Sequence, residues 1–205
     1  MADALNRVMS VKPFSVAIID ANHVRAAILE DGLRSSGIDS VTVIREGGNL
    51  LRRLVDLDPD VVIIDLENPS RDELEQMFQV SRVVARPVAM FVDRSDTAMI
   101  EAAVDAGVSA YIVDGLKRER VKAIVDMAIS RFNAFSRLQS ELDAARSDLA
   151  DRKIIDRAKG ILMSSRNLSE GDAYDLLRKT AMSQNRKMAD IAHSVVIAAG
   201  LLKPS

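Results

Sequence analysis

The 205-residue sequence has no cysteine, no tryptophan and only two histidines. Without cysteine there are no disulfides, no thiolate metal sites and no thiol nucleophile. His23 and His193 are far apart in the chain, so no zinc site is expected. Aromatic residues make up 3%, which requires an aliphatic core and disfavours a base-stacking platform for single strands. No apolar run reaches the ~18 residues of a membrane span, and residues 1–13 hold no signal-peptide stretch. The expectation is a soluble, cytoplasmic protein without membrane contact. No nucleophile–base constellation and no phosphate-cradling glycine loop is visible, so no enzyme is expected. Gly47 and Gly48 read as a turn.

What is present suffices for a receiver-sized domain and a small appendage. Apolar residues make up 48%, enough for a true core. The net charge of −2 hides an asymmetry: residues 153–205 carry +4 and the remainder −6. A polyanion would therefore be met by the C-terminal part.

Short β-rich runs alternate with helical patterns in the first part. Strands are expected at 15–19, 41–44, 60–64, 88–92 and 110–113. Helices are expected at 24–36, 50–57, 71–84, 97–106 and from 117 onward. The strand runs are continuously apolar, as in a parallel sheet buried on both faces. Asp20 and Asp65 fall at the C-terminal ends of neighbouring strands, the edge where open parallel sheets bind ligands.

From 117 to about 163 there is no proline, and the first glycine is Gly160. Val121, Ala128, Phe135, Leu142 and Leu149 recur at heptad spacing, with Ile124, Leu138 and Ala145 between them. That pattern suits a short coiled coil; an amphipathic helix folding back on its own domain is the alternative. Beyond it, a turn at 164–168 leads to a helix at 170–182, with Ser169 as N-cap and Asp172 three residues on. A second turn at 183–186 leads to a last helix at 187–199, stopped by Gly200. Arg157, Lys159, Gly160 and Arg166 lie near the first turn, and Arg178, Lys179, Arg186 and Lys187 near the second. Guanidinium forks suit phosphate oxygens and base edges. Gly160 leaves the backbone beside Lys159 open to a ligand. Tyr174 could stack on a base or pack in a core.

Residues 13–130 resemble a response-regulator receiver domain. The resemblance rests on PDVVIIDLENP at 59–69, RPVAM at 86–90 and AGVSAYIV at 106–113. It implies a flavodoxin-like, doubly wound α/β fold with Asp65 as the phospho-acceptor and Asp20 as an acid of its pocket. Three positions depart from that pattern. Ala21 stands where a second acid would help to hold Mg²⁺, Val92 where a hydroxyl is needed, and Asp114 where a lysine is needed. Phosphorylation at Asp65 is therefore not expected to be used. Mg²⁺ is the one cofactor the resemblance would bring; no cofactor is expected.

The C-terminal part resembles an ANTAR module through RAKGILM at 157–163, SEGDAYDLLR at 169–178, KTAMS at 179–183 and KMADIA at 187–192. Together with FVDRSD at 91–96 and VDGL at 113–116, the chain resembles the AmiR/NasT family of antiterminators. That resemblance implies binding to leader mRNA hairpins, a role in nitrate and nitrite assimilation, and control by a NasS-like nitrate-sensing partner. The heptad stripe, with the very polar stretch 139–151, favours pairing with another chain: a homodimer in the active form is expected, paired through Phe135, Leu138, Leu142, Ala145 and Leu149. The expected organisation is a pseudo-receiver at 1–130, a coiled-coil linker helix at 131–152 and a three-helix RNA-binding domain at 153–205. The competing reading is a phosphorylation-driven regulator that binds DNA or RNA through the same helices.

Overall fold

The structure, a computed structural model, describes residues 12–45 and 49–201. The expected Gly47–Gly48 turn lies outside the described residues. Five strands form one parallel sheet in the order β2-β1-β3-β4-β5: β1 Ser15–Ile19, β2 Ser40–Ile44, β3 Val61–Leu66, β4 Val88–Val92 and β5 Ala110–Val113. The intervening helices are α1 His23–Arg34, α2 Leu50–Leu57, α3 Arg71–Val84 and α4 Thr97–Asp105.

Alternation along each strand splits the core in two. Ala17, Ile19, Val62, Ile64, Val88 and Met90 face Leu54 of α2 and Leu74 and Phe78 of α3. Val16, Ile18, Val61, Ile63, Ala89 and Phe91 face Leu29 and Leu33 of α1 and Val121, Val125 and Ala128 further on. Both faces are filled, which explains the unbroken apolar runs in the three central strands.

A turn of 3₁₀ helix at Arg118–Arg120 precedes α5, Val121–Arg166. The helix expected from 117 therefore begins tighter and later. α5 also continues through residues assigned to the next turn, so that turn is shorter than expected. Asn167 takes a left-handed φ of 51° directly after the last helical residue. Asparagine tolerates this conformation, which ends a helix cleanly. α6 runs Glu170–Ser183, capped as expected by the Ser169 hydroxyl, which accepts from the Asp172 backbone N–H at 3.1 Å. Asn185, with φ 50°, closes the second turn. α7 runs Met188–Leu201, so Gly200 lies inside it and does not stop it.

Packing divides the described residues into two units between Ser136 and Arg137, inside α5. The second unit has its own small core of Ala158, Leu162, Ala173, Leu177, Ala181, Ile191 and Ala192. Three helices crossing on alanines can approach closely and need few large side chains.

Two glycines give opposite expectations. A Cβ at Gly32 of α1 would sit 2.9 Å from the Arg118 carbonyl oxygen and 3.1 Å from a Val121 methyl, whereas a Cβ at Gly160 meets nothing within 4 Å. Alanine ordinarily stabilises a helix interior by about 1 kcal/mol over glycine. At Gly32 the clash with backbone outweighs that gain, so Gly32→Ala should destabilise the first unit by about 1–3 kcal/mol. Urea unfolding followed by circular dichroism measures it; an unchanged midpoint would remove this packing constraint.

Candidate functional site

Ile19 of β1 is paired with Ile64 of β3, so Asp20 and Asp65 follow side by side at the sheet edge. β1 and β3 lead to helices on opposite faces, which opens a crevice there. The crevice is a cleft of about 550 Å³ reaching Asp20, Asn22, Asp65, Glu67, Glu73 and Gln76.

Asn22 shapes the corner between β1 and α1. Its side-chain oxygen accepts from the N–H groups of Val24 and Arg25, its amide donates to Glu67 at 3.1 Å, and its backbone N–H donates to Asp20 at 2.7 Å. This cap places Arg25 in the first turn of α1. A cation there opposes the helix dipole, and the compensation comes from two carboxylates. Arg25 Nε and Nη2 donate to Asp65 Oδ2 and Oδ1, both at 2.7 Å, and Nη1 donates to Asp93 Oδ1 at 2.8 Å. The Asp65 side chain is wholly buried and Arg25 is 17% exposed. The hydrogen bond to Asp65 pushes the Arg25 guanidinium further above its ordinary value, so it stays charged.

Asp20 has a different environment. Its Oδ2 is buried without a hydrogen-bond partner among the described residues. Burial pushes the carboxyl up to about 6; the Asn22 N–H pulls it back and neighbouring Asp65 raises it again. Mg²⁺ fits this arrangement poorly. Both oxygens of Asp65 are engaged, the second acid is replaced by Ala21, and no three His, Asp or Glu side chains gather as a metal group among the described residues. Val92, where a hydroxyl was sought, is buried at the end of β4, and Asp114, where a lysine was sought, has a φ of 47°.

Arg25 and Asp93 escaped the sequence reading. The signal was present: a cation in the first turn of the helix after an acidic strand end, and an acid directly following the fourth strand.

In the second unit the basic residues separate into two groups. Lys159 donates to Asp156 and Glu170, each at 2.8 Å, and is only 16% exposed. Hydrogen bonds to those two acids, Asp156 first, raise its ammonium above the ordinary lysine range. It fastens the start of α6 to α5. Arg157, Arg166, Lys179 and Lys187 are exposed and form no ion pair among the described residues. Arg186, at the second turn, is exposed beside Gln184 and the Asp190 carbonyl. Arg178 pairs loosely with Asp175 at 3.4 Å in open solvent. Tyr174, Arg178 and Met182 are spaced by four residues on α6, and all three are exposed. They form one outward line. Gly160 is exposed one residue beyond Lys159. Along α5, Phe135, Leu138, Leu142 and Leu149 are 65%, 62%, 45% and 55% exposed, and Ala145 is also exposed.

Residues 16–126 match the family model of the response regulator receiver domain, and residues 143–196 match that of the ANTAR domain. The transcriptional regulatory protein PdtaR of Mycobacterium tuberculosis is 27% identical over 175 residues, 85% of each chain. A nitrate regulatory protein of Klebsiella oxytoca is 29% identical over 75 residues, 37% of this chain and 19% of its own. Among solved structures, the receiver domain of a modulated diguanylate cyclase from Desulfovibrio desulfuricans G20 superposes with a TM-score of 0.50 at 21% identity, covering 58% of this chain and 96% of that one.

The buried Asp20 makes stability depend on pH. Its folded carboxyl titrates near 6 against an ordinary 3.8, so the stabilising neutral form is fully present below about pH 4 and is lost as pH rises through 6. Asp20→Asn, permanently neutral, should therefore stabilise the protein at pH 8 by on the order of 2 kcal/mol and change little at pH 4. Denaturant titrations at the two pH values check this; an equal effect at both would show that ionisation of Asp20 carries no penalty.

Proposed function

Because the chain belongs to the response regulators and joins their receiver domain to an ANTAR domain, we propose that it is a transcription antitermination regulator that binds hairpins in leader mRNA. One observation carries the reading. The small three-helix unit keeps its alanines and leucines inside and exposes Arg157, Arg166, Arg178, Lys179, Arg186 and Lys187 around its two turns. Hairpin RNA offers phosphates along its stem and unstacked bases in its loop. The line Tyr174–Arg178–Met182 supplies an aromatic face, a fork of donors and a pliable apolar side chain for such a base. Lys159 acts by holding α6 in position, with its charge already shared between two acids.

The Klebsiella relative supports nitrate and nitrite assimilation genes as the target. Regulation by a nitrate-sensing, NasS-like protein that holds the chain inactive fits an acidic pocket without its second acid, hydroxyl and lysine better than regulation by phosphate does. The exposed stripe of α5 supports a homodimer of the active form, which would bring two ANTAR units to two hairpins at high effective concentration.

Gel shifts with a two-hairpin leader RNA test the interface. Arg178→Ala and Lys179→Ala should each weaken binding about tenfold and lower the salt slope by about 1, with thermal stability unchanged. Gly160→Ala should raise stability by up to about 1 kcal/mol yet weaken binding, because the added methyl fills open space. Equal affinity for duplex DNA of the same sequence, or unchanged affinity in all three variants, would overturn the assignment. Leu142→Glu should shift sedimentation of the full chain toward monomer; an unaltered profile would remove α5 as the pairing surface.

A further inference from the structure

Arg25 stands in a position that no requirement of helix formation explains. A first-turn arginine works against the α1 dipole, and burying its head in a pocket costs solvation. Its three contacts are all carboxylate oxygens within 2.8 Å, and they come from two different strand ends, Asp65 in β3 and Asp93 after β4. The fork meets Asp65 bidentately, the geometry in which a guanidinium binds a carboxylate most tightly. The cleft opens beside Asp20 and Asp65, and Arg25 is not part of its lining. A small phosphodonor therefore has room to approach. What it meets is a carboxylate whose two oxygens are both accepting hydrogen bonds.

We infer that Arg25 is the resident cation of this receiver: it supplies the positive charge that a metal ion and a lysine ammonium would otherwise bring to Asp65, and by engaging both carboxylate oxygens it disfavours metal and phosphoryl groups there. The chemistry follows from the contacts. Phosphoryl transfer from acetyl phosphate would form a bond from an Asp65 oxygen to phosphorus and release acetate. The hydrogen bond from Arg25 draws electron density from that oxygen and makes it a weaker nucleophile. A divalent ion bridging Asp20 and Asp65 would sit within a few ångströms of a fixed positive charge. Because the guanidinium does not lose its proton, the engagement persists at every physiological pH. The same side chain ties Asp93, and with it the start of the segment from Asp93 to the Asp96 N-cap of α4, to the acceptor. Ser95 in that segment shares a 3.0 Å hydrogen bond with Tyr111 of β5. Arg25 thus fixes the corner between β4 and α4 without any added group. The inference concerns the receiver alone and holds whatever nucleic acid the second unit binds.

The experiment compares the full-length wild type with Arg25→Gln, using Mn²⁺ as a probe for the metal and acetyl phosphate as the donor. The wild type should bind Mn²⁺ at least tenfold more weakly than Arg25→Gln, by water proton relaxation, and should gain no phosphoryl mass. The added affinity of Arg25→Gln should vanish when Asp65→Asn is introduced as well. Should Arg25→Gln fail to fold, the wild type is itself diagnostic. The Arg25 Nε–H should exchange with water at least tenfold more slowly than the Nε–H of exposed Arg52, and Asp65→Asn should abolish that protection. A wild type that binds Mn²⁺ as tightly as Arg25→Gln overturns the inference. So does a wild type phosphorylated faster than the variant, which would make Arg25 a phosphate-binding group.

Discussion

A carboxylate at the end of a strand that is buried on both faces has to be neutralised, and much of the receiver unit is arranged around that constraint. Asp65, at the end of β3 on the face that carries Val61 and Ile63, has no side-chain exposure. An uncompensated charge there would cost several kcal/mol. Arg25 supplies the compensation, Asn22 sets Arg25 in place by capping α1, and Asp93 balances the remaining donors. Asp20 is left as the uncompensated acid, which is why its carboxyl moves up toward neutrality.

The second unit solves a different problem, holding three helices together with few large side chains. Alanines at the crossings permit close approach, and Lys159 fastens α6 to α5 through Glu170, while Asp156 of its own helix holds the ammonium in place. Surface ion pairs contribute little energy individually, but this one has a geometric effect. It fixes the start of the helix that presents Tyr174, Arg178 and Met182 outward. The cations left outside such pairs surround both turns. A polyanion therefore meets charges that are not already shared with protein acids.

The parallel sheet and its covering helices were legible because burial on both faces writes itself as unbroken apolar runs, while the doubly wound arrangement came from the receiver resemblance. Strands β1, β4 and β5 and helices α2 and α3 fall at the expected residues. Helix ends were less legible. Gly200 reads as a stop, but nothing in the packing requires one there; Asn167 and Asn185 perform that role at the other ends through left-handed backbone. The acidic edge was legible as Asp20 and Asp65, and the losses at Ala21, Val92 and Asp114 were visible in place. The Arg25 clamp was only half legible: the first-turn cation and the acid after β4 stand in the sequence, but their contacts join residues 40 and 68 positions apart and obey no spacing rule. The ionic engagement of Lys159 was hidden for the same reason, since Glu170 comes from the following helix.

The central claim is that an ANTAR unit acts on RNA while its receiver works without phosphate. Single-round transcription through a leader carrying two hairpins and a terminator tests both halves at once. Purified full-length protein should raise readthrough to the same level with and without acetyl phosphate and Mg²⁺, and Arg178→Ala together with Lys179→Ala should abolish the effect. Readthrough that appears only with the phosphodonor, or that survives the double substitution, would contradict the account.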